Sequence, residues 1–191
     1  MEEQQLIQQL KAKNEQAFSQ FVETYKDRVY NTALSILQNQ ADAEDIAQEV
    51  FMDIWKNVGG FRGESSLSTW VYQVSINRCR DYLKWKKRKK RFAFITSLHG
   101  EQQELKHDSP DFVHPGVQLE QQEQAKVLLQ AIEALPDSQR VAFSLHKLEG
   151  LSYQEICQIL GKSLSSVESL MHRAKQNLQK RLYNYYQEID N

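Results

Sequence analysis

The sequence predicts an all-α protein: two small helical domains joined by a flexible linker, the C-terminal one a helix-turn-helix. Three observations predict it. Seven Gly and three Pro make 10 of the 191 residues, about 5% where ordinary usage of the two is ~12%, and that shortage favours helix over turn-dense β structure. Apolar residues recur at three-and-four spacing over long stretches, and none of the chain needs a strand. Between those stretches periodicity fades over residues 92–117, where Gly100, Pro110, Pro115 and Gly116 stand among polar residues, as in a linker. The expected division is 1–91, a mildly acidic linker over 92–117, and 118–191.

The first helix is expected at about residues 14–38, from the spacing of Phe18, Phe21, Val22, Tyr25, Val29, Ala33, Ile36 and Leu37. Asp42 is a candidate cap for a second helix, in which Ala43, Ile46, Ala47, Val50, Phe51, Ile54 and Trp55 make one broad apolar arc. Val58, Gly59 and Gly60 end it. The opposite face carries Asp45, Gln48, Glu49, Met52, Asp53 and Lys56. Such a stripe is either a solvated face or a partner site, and the apolar Met52 among carboxylates favours the partner site.

After the loop FRGESS, Ser66 is expected to cap a third helix that runs without a breaker to Arg91. Leu67, Trp70, Val71, Val74, Tyr82 and Trp85 fall on one side of it as a core stripe. Tyr72, Ile76, Cys79 and Leu83 form a second apolar stripe, which predicts packing on two sides. The remaining strip holds Thr69, Gln73, Asn77, Arg80, Lys84, Lys87, Arg88 and Arg91, and becomes wholly basic toward its C-terminal end. Residues 78–91 contain nine bases against Asp81 alone. That gradient fits a DNA strand, with phosphates held by cations and bases met by amides, hydroxyls and aromatics. The alternative is a solvated helix end that complements the macrodipole, for which one or two cations suffice.

In the second domain Ser152 and Glu155 form a capping box for a helix over residues 153–160. Gly161 suits the left-handed residue that ends it, and Ser163 can cap a further helix after a short turn. Val167, Leu170, Met171, Ala174, Leu178 and Leu182 form the buried stripe of that helix. Ser165, Ser166, Ser169, His172, Arg173, Gln176 and Lys180 are left outward, as groups that can donate to base edges or phosphates in a major groove. A purely structural helical hairpin is the alternative.

Overall charge, 24 bases against 25 acids, argues against a protein that coats nucleic acid by bulk attraction. The charge is instead segregated, with ten acids against five bases over residues 1–60. No apolar run approaches the ~20 residues of a membrane span, and the acidic, polar N-terminus is unlike a secretory signal. A cytoplasmic protein with no direct membrane insertion is expected. Cys79 and Cys157 stand far apart without a CxxC, which indicates neither a disulfide framework nor a zinc site. His99, His107 and His114 lie in the linker and read as part of a polar flexible segment. With no phosphate-binding loop, zinc-protease motif or nucleophile elbow, no enzyme activity, metal or cofactor is expected.

The runs DAEDIAQEVFMDIW at 42–55, FRGESSLSTWVYQVSINRCRDYL at 61–83 and LSYQEICQILGKSLSSVESLMHRAKQNLQKRL at 151–182 resemble, in order and spacing, bacterial sigma-70-family factors of the extracytoplasmic-function group. The resemblance implies a transcription initiation factor that binds core RNA polymerase and directs it to specific promoters. It implies that the acidic helix, with Asp42, Asp45, Gln48, Glu49, Met52 and Asp53, docks on the clamp helices of the largest polymerase subunits. It implies recognition and opening of the minus-ten promoter element by Phe61, Arg62, Ser66, Trp70, Tyr72, Gln73, Asn77, Arg80, Lys84, Lys87 and Arg88. The minus-thirty-five element would be read by Ser165, Ser166, Ser169, His172, Arg173 and Gln176. Where many relatives carry a Lys and an Arg near the start of that recognition helix, this chain has Glu168 and Leu170. An anti-sigma factor is a further implied partner. The rival reading is a free-standing regulator that binds palindromic operator DNA as a dimer. The basic, aromatic third helix counts against it.

Overall fold

Short side chains at helix starts fix most of the element boundaries. The computed structural model describes residues 3–97 and 127–189. α1 spans Glu3–Lys11, α2 Glu15–Leu37, α3 Gln40–Asn57 and α4 Leu67–Ser97, with a 3-10 turn at Val58–Gly60. α5 is helical over 127–133, followed by α6 at Asp137–Lys147, α7 at Tyr153–Leu160 and α8 at Leu164–Ile189. No strand occurs among the described residues. The Asn14 side chain accepts from the Ala17 amide at 2.9 Å to open α2, and Asn39 accepts from the Asp42 amide at 2.9 Å to open α3. Asp42 is therefore not the cap; it sits in the first turn, where a carboxylate complements the positive end of the helix. Ser66 caps α4 as expected, accepting from the Thr69 amide at 3.1 Å. The Leu67 amide at the same helix start donates to Glu3 of α1 at 2.9 Å. α1 is an element the apolar spacing did not announce, and α4 runs to Ser97 rather than stopping at Arg91.

α2, α3 and α4 pack on one another, with α1 laid against α2 and the 3-10 turn. α6, α7 and α8 form the second group. The two groups meet: α4 packs on α7 and α2 on α6, so that Val29, Ile36, Ile76 and Cys79 share one contiguous core with Val141, Leu145, Ile156 and Val167. Polar contacts cross the junction. The Ser144 hydroxyl donates to the Ser35 carbonyl at 3.1 Å, the Gln73 side chain to the Gln158 carbonyl at 3.1 Å, and Lys87 pairs with Asp137 at 2.7 Å. A smaller cluster, Ala131, Ile132, Leu135, Ala174 and Leu178, ties α5 to α8.

Both apolar stripes of α4 are thereby used. Leu67 and Val71 are buried on one side, and Tyr72, Ile76, Cys79 and Leu83 on the other. Trp85 departs from the expectation. Its spacing groups it with the core stripe, yet it is 47% exposed, because helical periodicity gives the direction of a side chain and not whether a neighbour covers it there. The three linker histidines, His99, His107 and His114, lie outside the described residues.

Candidate functional site

The outward face of α3 is built by its burial on two sides. Ala43, Ile46, Val50 and Ile54 are buried, which leaves Asp45, Gln48, Glu49 and Met52 exposed, Met52 at 56%. The other two carboxylates of the expected set are engaged with α4. Asp42 pairs with Lys86 at 2.9 Å. Asp53 accepts two hydrogen bonds from Arg78, one from Nη2 at 2.6 Å and one from Nε. Glu49 stands 3.6 Å from the same guanidinium. Arg78 is accordingly held charged above its usual range, chiefly by the hydrogen bond to Asp53. α3 and α4 run antiparallel, since the start of α3 meets Lys86 and its end meets Arg78.

Along α4 the expected DNA-facing residues fall into three settings. Phe61 is buried and its ring lies 5.0 Å from that of the half-buried Trp70. Arg62 is exposed, 3.9 Å from Glu64. Ser66 is committed to its cap. Tyr72 is 6% exposed, with the Arg28 guanidinium over its ring and its hydroxyl pKa raised mainly by burial. Gln73 is spent on the Gln158 carbonyl. Asn77 is exposed and Arg80 half-buried, while Lys84 and Arg88 are exposed. Lys84 pairs with Asp81 at 3.1 Å and Lys87 reaches across to Asp137. The structure thus brings Asn77, Arg80, Lys84 and Arg88 together on one accessible strip. It places Tyr72 and Gln73 under the C-terminal helices.

The helix-turn-helix follows its sequence signals. Ser152 accepts from the Glu155 amide at 3.3 Å while Glu155 accepts from the Ser152 amide at 2.8 Å, so each satisfies the other's orphan group. Gly161 has φ +61, the left-handed conformation in which its amide bonds back to Cys157. The Ser163 hydroxyl then accepts from the Ser166 amide at 3.3 Å to start α8. Ser165, Ser166, Ser169, His172, Arg173 and Gln176 are all exposed along α8, as is Glu168, and Leu170 points into the core.

Several influential residues carried no sequence signal. Glu3 caps a helix 64 residues away. Arg140 is buried on α6, donating to the Glu133 carbonyl at 3.0 Å and to Asp137 at 3.1 Å, with its pKa lowered by desolvation. Glu149 is half-buried and its pKa raised by desolvation, opposed by Arg28. Burial pushes the Cys79 thiol up to about 12. No local pattern announces these, because each depends on what another segment places beside it. Among the described residues no group of three or more His, Cys, Asp or Glu is placed to hold a metal. No described helix is long and apolar enough to cross a membrane.

Comparison with known proteins adds two family matches in chain order. The profile of sigma-70 region 2 matches residues 21–89, and that of sigma-70 region 4 matches residues 125–178. The chain is 28% identical over 181 residues to the RNA polymerase sigma-H factor of Pseudomonas aeruginosa, covering 95% of this chain and 94% of that one. It is 26% identical over 174 residues to the ECF RNA polymerase sigma-E factor of Escherichia coli K12, covering 91% of each. Two solved structures share the fold. One is CnrH in complex with the cytosolic domain of CnrY, with a TM-score of 0.65 at 20% identity, covering 95% of this chain and 97% of that one. The other is the sigma factor RpoE of Bartonella quintana in complex with the anti-sigma factor NepR, with a TM-score of 0.61 at 23% identity, covering 87% and 96%.

Proposed function

Because this chain belongs to the sigma-70 family, in its extracytoplasmic-function group, we propose a division of its promoter-directing work among the three surfaces described above. The factor binds core RNA polymerase through the exposed face of α3, with Asp45, Gln48, Glu49 and Met52 in contact. Asp42 and Asp53 act behind them, bracing α3 on α4 through Lys86 and Arg78. The exposed strip of α4, with Asn77, Arg80, Lys84 and Arg88, follows the promoter strand at the minus-ten element, its cations on phosphates and its amide on a base edge. Phe61, Arg62, Ser66 and Trp70 shape the entrance to that strip. α8 lies in the major groove of the minus-thirty-five element and presents Ser165, Ser166, Ser169, His172, Arg173 and Gln176.

Residues 1–91 carry the first two tasks, residues 118–191 the third, and residues 92–117 connect them. For Tyr72 and Gln73 to meet a base, the contact of α4 with α7 has to open, so promoter engagement is coupled to separation of the two helical groups. An anti-sigma factor that favoured the closed arrangement would keep those residues covered; two proteins of this fold are solved as such complexes or with a cytosolic partner domain. The protein acts in the cytoplasm, without enzymatic activity of its own.

The observation that carries this reading is the order along one chain: an exposed carboxylate face with a methionine, then a polar-to-basic helix strip, then a capped helix-turn-helix. The test is co-elution with core RNA polymerase in the absence of DNA, followed by run-off transcription. Charge reversal in Asp45→Lys with Glu49→Lys should weaken polymerase binding by ~100-fold or more while helix content stays that of the unmodified protein. Unchanged affinity would remove α3 from the interface. Elution as a free dimer that binds a palindromic site would instead establish the operator-binding regulator.

A further inference from the structure

Helical spacing places Trp85 with the core stripe of α4, yet it is exposed. Among the described side chains of residues 3–91, the large apolar groups left exposed are Met52 on α3 and Trp85 on α4. Met52 stands about 100° around α3 from Asp53, the residue that bonds Arg78, and so lies on the outward face of α3 beside Glu49. Trp85 lines a groove between α3 and α4 together with Ile46, Glu49, Arg78, Tyr82 and Arg88. Glu49 therefore belongs both to the outward face of α3 and to the wall of this groove, and the two surfaces are continuous. The Tyr82 ring lies 5.6 Å from that of Trp85, and the Lys89 ammonium 5.1 Å from it, so the indole is oriented before any partner arrives.

We propose that the polymerase-docking surface extends from α3 across this groove onto α4, with Trp85 and Met52 as its two apolar anchors and Arg78 between them as the brace. This rests on the docking role given to α3 above. The occupant is a protein helix of core RNA polymerase, apolar where it meets Trp85 and Met52 and basic where it meets Asp45 and Glu49. Composition supports it, since Trp, Met and Arg at a patch centre with carboxylates at the rim is the make-up of binding hot spots.

DNA is the competing occupant, and two observations disfavour it. At 100° per residue Trp85 stands about 100° around α4 from Lys84, about 140° from Arg80 and about 60° from Arg88, so it borders the basic strip only at Arg88. The groove is also lined by two carboxylates, Glu49 and Asp81, against two guanidinium groups, Arg78 and Arg88, a balance that lacks the excess of cations a phosphodiester chain requires.

The test measures affinity of the full-length protein for core RNA polymerase without DNA, by anisotropy of a labelled chain. Trp85→Ala should weaken binding about tenfold to a hundredfold, and Trp85→Phe, which keeps an aromatic ring, by no more than about threefold. Trp85→Arg, which suits an exposed helix position, gives a second reading should the alanine variant melt early. Wild-type affinity in the alanine and arginine variants overturns the proposal, including the case in which they only slow promoter opening, a result that would assign Trp85 to DNA. If Asp45→Lys with Glu49→Lys weakens binding and the Trp85 variants do not, the extension onto α4 fails while the α3 face stands. If neither set weakens binding, both readings fail.

Discussion

Replacing Ile76 with alanine probes the buried cluster through which the two helical groups meet. Ile76 is 1% exposed and lies about 160° around α4 from Arg78, the residue that faces α3, so α3 cannot be what buries it. α2 and α7 both pack on α4, and Ile76 shares its buried cluster with Val29 and Ile36 of α2 and with Ile156 of α7; Cys79, fully buried on the same stripe, reports on that packing. An Ile→Ala change in a closed core costs ~2–5 kcal/mol, whereas the same change at a solvated position falls within about 0.5 kcal/mol. Cys79 supplies the assay, because its thiol is held at about 12 by burial. In the closed state it is both inaccessible and, because burial raises its pKa, poorly ionised at neutral pH.

Labelling of Cys79 must then proceed through opening, and a loss of ~2–4 kcal/mol in the Ile76→Ala variant should accelerate it by about 30- to 1,000-fold. The half-buried Cys157 is the internal reference. Site-resolved labelling by mass spectrometry, with urea denaturation alongside, reads both quantities on the intact chain. Equal labelling of Cys79 and Cys157 in the unmodified protein, or a denaturation cost below about 0.5 kcal/mol for the variant, would refute the packed junction.

Two further outcomes test the C-terminal half. A Cβ placed on Gly161 meets nothing within 4 Å, so Gly161→Ala should cost only the left-handed backbone penalty of ~1–2 kcal/mol, seen as a melting point lower by about 2–8 °C, with Gly161→Asn losing less; an alanine variant that melts like the parent would show the turn is not held left-handed. Burial raises the Glu149 carboxyl above its ordinary 4.5, against the opposing pull of Arg28. A carboxyl that holds its proton more tightly when folded favours the folded state most below the unfolded value, and that contribution is lost as pH rises through the raised folded value. Glu149→Gln should therefore stabilise the protein at neutral pH and flatten its stability profile above about pH 4.5, and identical pH slopes for variant and parent in denaturant titrations would remove Glu149 from the junction.

Much of the fold is legible in the chain because the forces that start and stop a helix act within three or four residues. Ser66, the Ser152–Glu155 pair and Gly161 behave as their positions predict, since each satisfies backbone groups of its own turn. The apolar stripes are equally local, and they supply the outward faces of α3 and α8 by subtraction. Even the doubled stripe of α4 announces that two neighbours must exist.

The rest was decided by segments far apart in sequence. Nothing near Leu67 indicates that Glu3 would cap it, and nothing near Lys87 that Asp137 would neutralise it. Asp42 lost the capping role to Asn39 by a matter of three residues, a boundary set by which side chain reached the free amides. Tyr72 is buried as its apolar stripe predicts, while Trp85, which spacing places in the core stripe, faces solvent. Amphipathic spacing fixes the direction in which a side chain leaves its helix. Whether that direction holds a neighbour, a counter-charge or water depends on where the other helices come to rest, and only the tertiary packing sets that.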